Sequence, residues 1–205
     1  MVTQLAGSTL KKVFNRRVIF KDVSFTLRPG QSLLITGPNG SGKSTLVKII
    51  AGVLTPTEGN VKVTWNDSTV IQDLPPVIGL VSPYLQMYEE FSPRENLRFA
   101  LAVRGMKSFL GDIQPLLERL QLGARIDDPV RTFSSGMKQR VKYAFSLIHR
   151  PAVLILDEPM ANLDADGVGL VNTIVDQQRK QGILVVATNN AAELDRYDSR
   201  VHLGH

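Results

Sequence analysis

The residue types that could do chemistry gather in two short stretches. The first is Gly37-Pro38-Asn39-Gly40-Ser41-Gly42-Lys43-Ser44-Thr45. Its G-x-x-x-x-G-K-S spacing is that of a phosphate-binding loop. Gly37, Gly40 and Gly42 let the backbone curl so that its N–H groups point inward at phosphates. A helix starting at the loop adds partial positive charge. Lys43 is expected to reach the β- and γ-phosphates and the Ser44 hydroxyl to ligate Mg²⁺. The second stretch is Asp157-Glu158-Pro159, directly after the apolar run 152–156. A carboxylate at the carboxyl end of a parallel strand lies beside such a loop, where open sheets bind ligands. Asp157 is expected to hold Mg²⁺ through water. Glu158 points differently, one residue on, and is expected to polarise the attacking water as general base.

The other candidates are weaker. Phe14, between Lys12 and Arg16, either stacks on a nucleotide base or belongs to the core, and spacing leaves both open. His149, His202 and His205 stand in no metal-ligand spacing and read as surface or tail residues. Lys138 and Arg140 read as facing solvent or a partner.

These residues need strands and helices to bring them together, and the chain supplies them in order. Val23-Ser24-Phe25-Thr26-Leu27 and Val61-Lys62-Val63-Thr64-Trp65 alternate as half-buried antiparallel strands. Trp65 reads as a packing residue. Ser32–Ile35, Val77–Val81, Ala152–Leu156 and Ile183–Thr188 are apolar runs suited to buried parallel strands. Helices are predicted after Lys43, from Pro93 to about Arg104, from about Phe109 to Leu122, from Ser134 until Pro151, over 165–181 and over 190–196. Pro93 suits a first helical turn and Glu95 its positive end. Two consecutive helices with no strand between them interrupt the β-α alternation and read as a helical subdomain. The fold class is therefore α/β, with a mostly parallel sheet flanked by helices and an N-terminal antiparallel β-subdomain. A single domain is expected over 1–205, its catalytic core in 1–82 and 136–205 and its helical subdomain at about 83–135.

The 205 residues are 43% hydrophobic, enough for a real core. Without cysteine, disulfides and thiolate metal sites are excluded. A net charge of +5 admits nucleic acid or an anionic membrane surface, and equally an ordinary basic protein. No run of 18 apolar residues exists and the N-terminus has no signal-peptide core. A soluble or peripheral chain is expected, with any transmembrane work done by another chain.

With both stretches placed, the chain resembles the ATP-binding subunit of an ABC transporter, a P-loop NTPase, over nearly its whole length. Phe133-Ser134-Ser135-Gly136-Met137 stands where the family has its Leu-Ser-Gly-Gly-Gln signature. Asn162-Leu163-Asp164 follows Glu158 at the spacing of the family's D-loop, and Phe14 matches the aromatic that stacks on adenine. The resemblance implies that Ser134, Ser135 and Gly136 bind the γ-phosphate of ATP held by a second copy. Two copies would pack head to tail around two ATP molecules, with Asp164 at the interface. Ser134 is equally a helix N-cap, and both roles can hold together. Length, ending and Asp166-Gly167-Val168 are similar to the haem-exporter ATPase subunit of cytochrome c maturation.

Three motifs depart from the family pattern. Ser135 and Met137 replace a glycine and the glutamine of the signature. Pro83 falls where the Q-loop glutamine is expected, and Gln86 is the nearest candidate metal ligand, provided the loop rearranges. Asn189 occupies the place of the switch histidine.

The resemblance implies binding of ATP and Mg²⁺, ATP hydrolysis, a homodimer that needs ATP, a transmembrane permease as partner and a place on the cytoplasmic face of the membrane. The rival is an ABC ATPase acting on nucleic acid or the ribosome. Such relatives usually carry tandem cassettes or long coiled-coil insertions, which are missing here, so no nucleic acid is expected. A phosphate-loop kinase would leave the signature and D-loop without a reason.

Overall fold

Strands β1 (Val2–Phe14), β2 (Arg17–Leu27), β4 (Glu58–Trp65) and β5 (Thr69–Val70) form an antiparallel sheet in the order β2-β1-β4-β5. Strands β3 (Ser32–Thr36), β6 (Ile78–Val81), β7 (Val153–Asp157), β8 (Ile183–Ala187) and β9 (Ser199–His202) form a parallel sheet in the order β6-β7-β8-β3-β9. The coordinates are a computed structural model describing residues 1–66, 69–70 by their backbone, 76–189 and 196–204. The helix expected over 190–196 and His205 therefore lie, for the most part, outside the described residues.

Both faces of the parallel sheet are covered, which is why its central strands read as continuous apolar runs. Leu33, Ile35, Val153, Ile155, Ile183 and Val185 turn to one face, where α1 (Lys43–Ile50) and the antiparallel sheet cover them. Leu34, Leu154, Leu156, Leu184 and Val186 turn to the other, under α2 (Pro93–Val103), α3 (Ile113–Arg119), α4 (Ser135–Leu147) and α5 (Ala165–Gln181). Alternate residues of one strand thus serve two cores, as the two-residue side-chain period requires.

Helix starts follow local chemistry. Ser92 and Glu95 form a reciprocal capping box ahead of Pro93, each side chain accepting from the other's backbone N–H. Ser134 caps α4 by accepting from Met137 N–H at 3.3 Å, and Asp164 caps α5 by accepting from Gly167 N–H at 2.8 Å.

Three expectations need correction. The helix read over 109–122 is α3, confined to Ile113–Arg119, because residues 107–112 take a tighter 3₁₀ path. Arg140 does not face solvent: its side chain is 12% exposed and bonds to Gln121 and Asp164. His149 is no surface residue. It is 4% exposed, and its Nε2 donates to the Ile78 carbonyl at 3.0 Å. Burial, with Arg104 nearby, pushes its pKa down to about 4, so it is neutral near pH 7. Lys138 pairs with Glu89, and His202 is exposed with Nδ1 3.0 Å from the Thr36 hydroxyl.

Candidate functional site

The loop between β3 and α1 is shaped by its glycines. Gly42 caps α1 at φ 101°, and a Cβ there would fall 2.5 Å from Ile19 of β2. Gly37, at φ 147°, lies so close to the Leu203 carbonyl that a Cβ would sit 2.0 Å from it. Left-handed backbone and close neighbours both exclude side chains at these two positions. Lys43 opens α1 and is 7% exposed. Its ammonium donates to the carbonyls of Gly37 at 2.8 Å and Pro38 at 3.2 Å, and stands 3.9 Å from the Glu158 carboxylate. The Ser41 hydroxyl is buried with no hydrogen-bond partner. Such an orphaned donor inside a concave loop suits an anion rich in acceptor oxygens.

Asp157 ends β7 and is 1% exposed. Its Oδ2 accepts from the Ser82 hydroxyl at 3.4 Å, and its carboxylate also accepts from the Ser44 hydroxyl. Its Oδ1 is buried and unpaired. Burial raises its pKa, while Ser44, Ser82 and Lys43 pull it down. An orphaned carboxylate oxygen beside a serine hydroxyl is a hard, all-oxygen donor set that fits Mg²⁺. Glu158 has a half-buried side chain on left-handed backbone, φ 49°. Its backbone N–H donates to Ala187 at 2.8 Å. Its carboxylate accepts from the Thr188 hydroxyl at 3.5 Å and from the Asn189 backbone N–H. Burial raises its pKa first, Lys43 opposes, and Asp157 raises it further.

The other candidates surround this centre or stand apart from it. Asn189 is exposed, and its Nδ2 donates to the Asn39 side chain of the loop at 3.4 Å. Pro38, Asn39 and Gly40 are exposed at the loop's crest, and Thr45 is half-buried in the first turn of α1. Phe14 is 44% exposed at the end of β1, with the Lys12 ammonium 4.8 Å from its ring centre. It is not a core residue. Ser134 and Ser135 are exposed at the head of α4, with Gly136 half-buried behind them. Gln86 lines a groove of about 400 Å³ with Ser135, Lys138, Lys142 and Asn162, and neither Ser44 nor Asp157 borders it.

A family model described as ABC transporter matches residues 20–161. The chain belongs to the ABC transporter family. It is an ATP-binding ATPase of that family, the kind of subunit that energises transport. It is 31% identical over 194 residues to a linearmycin resistance ATP-binding protein of Bacillus subtilis (strain 168), covering 92% of this chain and 62% of that relative. A lantibiotic transport ATP-binding protein of Streptococcus pyogenes is 33% identical, covering 88% of this chain and 77% of its own. A zinc import ATP-binding protein of Yersinia enterocolitica is 34% identical, covering 88% and 67%. Among solved structures, an ATP-binding subunit of an ABC transporter superposes with a TM-score of 0.86 at 28% identity, covering 98% of this chain and 86% of that one.

Sequence reasoning missed two residues of this ABC ATPase site. Ser82 follows β6 directly and touches Asp157, and Thr188 follows β8 and touches Glu158. The available signal was position: each is the first polar residue after a buried parallel strand, the edge where open sheets bind ligands.

Proposed function

We propose that this chain binds Mg·ATP, pairs head to tail with a second copy and, through hydrolysis, drives a separate membrane protein from the cytoplasmic face of the membrane. The observation that carries this reading is the convergence of Lys43, Ser44, Asp157 and Glu158 at one end of the parallel sheet, linked by a 3.9 Å ion pair and the Ser44–Asp157 hydrogen bond. The core is assigned to 1–82 and 136–205 and the helical subdomain to about 83–135. Among the described residues no helix is long and apolar enough to cross a membrane. Phe99, Val103, Tyr88 and Met87 line an open groove with Phe145, and Tyr88, Phe99 and Val103 are exposed. A contiguous apolar patch of this kind suits a protein partner, here the permease. No role in binding nucleic acid is assigned.

Lys43 and the backbone N–H groups of the loop from Gly37 to Thr45, Pro38 excepted, hold the phosphates, and Phe14 stacks on the base. Ser44 and Asp157 would hold Mg²⁺, with Ser82 orienting Asp157 and Gln86 joining if its loop closes inward. The ion, when bound, neutralises charge developing on the phosphate oxygens. Glu158 takes the proton of the attacking water. Ser134, Ser135 and Gly136 reach phosphate held by the other copy, beside Asp164. Ser134→Arg is therefore expected to leave Mg·ATP binding to one chain intact and to abolish ATP-driven dimerisation, measured by sedimentation. Loss of binding by the single chain as well would show that the signature serves only its own fold.

Asn189 stands in for a charged group with a neutral donor. Replacing a charge-assisted hydrogen bond by a neutral one costs about 1.5–3 kcal/mol, or about ten- to a hundredfold in rate. Slow basal hydrolysis is expected, raised by Asn189→His and lowered by Asn189→Ala in a steady-state phosphate-release assay. Equal rates for all three would remove residue 189 from the chemistry.

A further inference from the structure

Helix α4 presents a stripe of polar side chains to main-chain carbonyls of β6 and the loop that follows it. Lys142 donates to Pro83 at 3.2 Å, Ser146 to Leu80, and His149, just past the helix, to Ile78. Tyr143 differs from these in its target. It is 1% exposed, and its hydroxyl donates to the Pro159 carbonyl at 2.9 Å. That carbonyl belongs to the corner that carries Glu158.

The corner needs holding. Glu158 is a non-glycine residue at φ 49°, a backbone region that persists only when its surroundings impose it. The Glu158 N–H is tied to Ala187 at 2.8 Å and the Ala161 N–H to the Glu158 carbonyl at 3.1 Å. The Tyr143 hydroxyl supplies the tie to Pro159, between those two. It comes from α4. Tyr143 also lies nine residues after Ser134, about 13 Å along the same helix.

We propose that Tyr143 is a positioning residue that holds Glu158 in register and links it to the signature at the head of α4. The inference rests on the reading that Glu158 is the base and that Ser134 and Gly136 touch phosphate held by the other copy. On that reading, one rigid helix touches the ATP of one site with its first turn and braces the base of the other site with its third.

Tyr143→Phe removes only the hydroxyl and keeps the ring that fills the core. Steady-state hydrolysis by the ATP-driven dimer is expected to fall about three- to twelvefold in kcat, the loss that one neutral hydrogen bond accounts for. KM for ATP and ATP-driven dimerisation are expected to stay as in the wild type. Ser146→Ala, which cuts a bond between α4 and the sheet away from the corner, is expected to keep kcat within about twofold. An unchanged kcat in Tyr143→Phe overturns the proposal. So does an equal loss in Ser146→Ala, or a loss in Tyr143→Phe that tracks a rise in KM. Glu158→Gln separates the two levels: if it hydrolyses ATP at the wild-type rate, the assignment of the base fails and this inference with it. If Glu158→Gln is inactive while Tyr143→Phe is normal, only the role of Tyr143 fails.

Discussion

Lys43→Ala is expected to weaken Mg·ATP binding by about a hundredfold or more and to abolish measurable hydrolysis. Hydrogen bonds to charged groups are worth about 1.5–3 kcal/mol each, and one buried ammonium serving two phosphates loses more than one of them. The variant is hit a second time at the base. Lys43 stands 3.9 Å from Glu158 and holds its pKa down against burial. Without that charge the carboxylate is pushed further up and becomes protonated over more of the working pH range. The Gly37 carbonyl, which Lys43 caps at 2.8 Å, also loses its donor, so a small drop in Tm is expected alongside. Isothermal titration with Mg·ATP, with Tm as the control for folding, decides the matter. Near-wild-type affinity would mean that the backbone amides alone hold the phosphates.

The sequence signals that succeeded share a physical cause. The runs at 33–35, 153–156 and 183–187 are apolar throughout because both of their faces are buried, and length and flanking turns mark them as strands. The phosphate loop is legible because left-handed backbone, with the Leu203 carbonyl close to position 37 and the Ile19 side chain close to position 42, leaves glycine as the residue for both. Strand β9 gives no such signal. Ser-Arg-Val-His is short and polar, lies at the sheet edge and is mostly exposed, so only its pairing with β3 makes it a strand. His149 is illegible for a different reason. Its burial depends on a carbonyl 71 residues away, and no local pattern encodes that contact. Ser82 and Thr188 are intermediate cases: the strand ends were readable, but the pairing of each with a particular carboxylate came only from the sheet order β6-β7-β8. The sheet order also places Asp157 and Glu158 between those two residues, which explains why the polar groups beside both carboxylates come from neighbouring strands.

Glu158→Gln is expected to bind ATP, to lose about 10²- to 10⁴-fold in hydrolysis, the usual contribution of a general base, and to accumulate as the ATP-bound dimer. The substitution keeps shape and hydrogen-bonding reach, so the left-handed corner, the Ala187 and Pro159 ties and the Thr188 contact have no steric reason to change. What it removes is basicity. The pH dependence gives the same assignment an independent test. Burial places the Glu158 pKa above the ordinary carboxylate value, with Asp157 adding to the rise and Lys43 opposing it. A base must be unprotonated to act, so wild-type kcat is full above this raised pKa and is lost as the pH falls through it. The acidic limb is therefore expected above the ordinary range near 4.3. Whatever hydrolysis remains in Glu158→Gln should lack that limb, since the amide has no proton to gain in this range. Sedimentation with Mg·ATP reads the dimer, and a phosphate-release series from pH 4 to 8 reads the limb. A variant that hydrolyses at the wild-type rate, or a residual rate that keeps the same acidic limb, would move the role of base to another residue of the site.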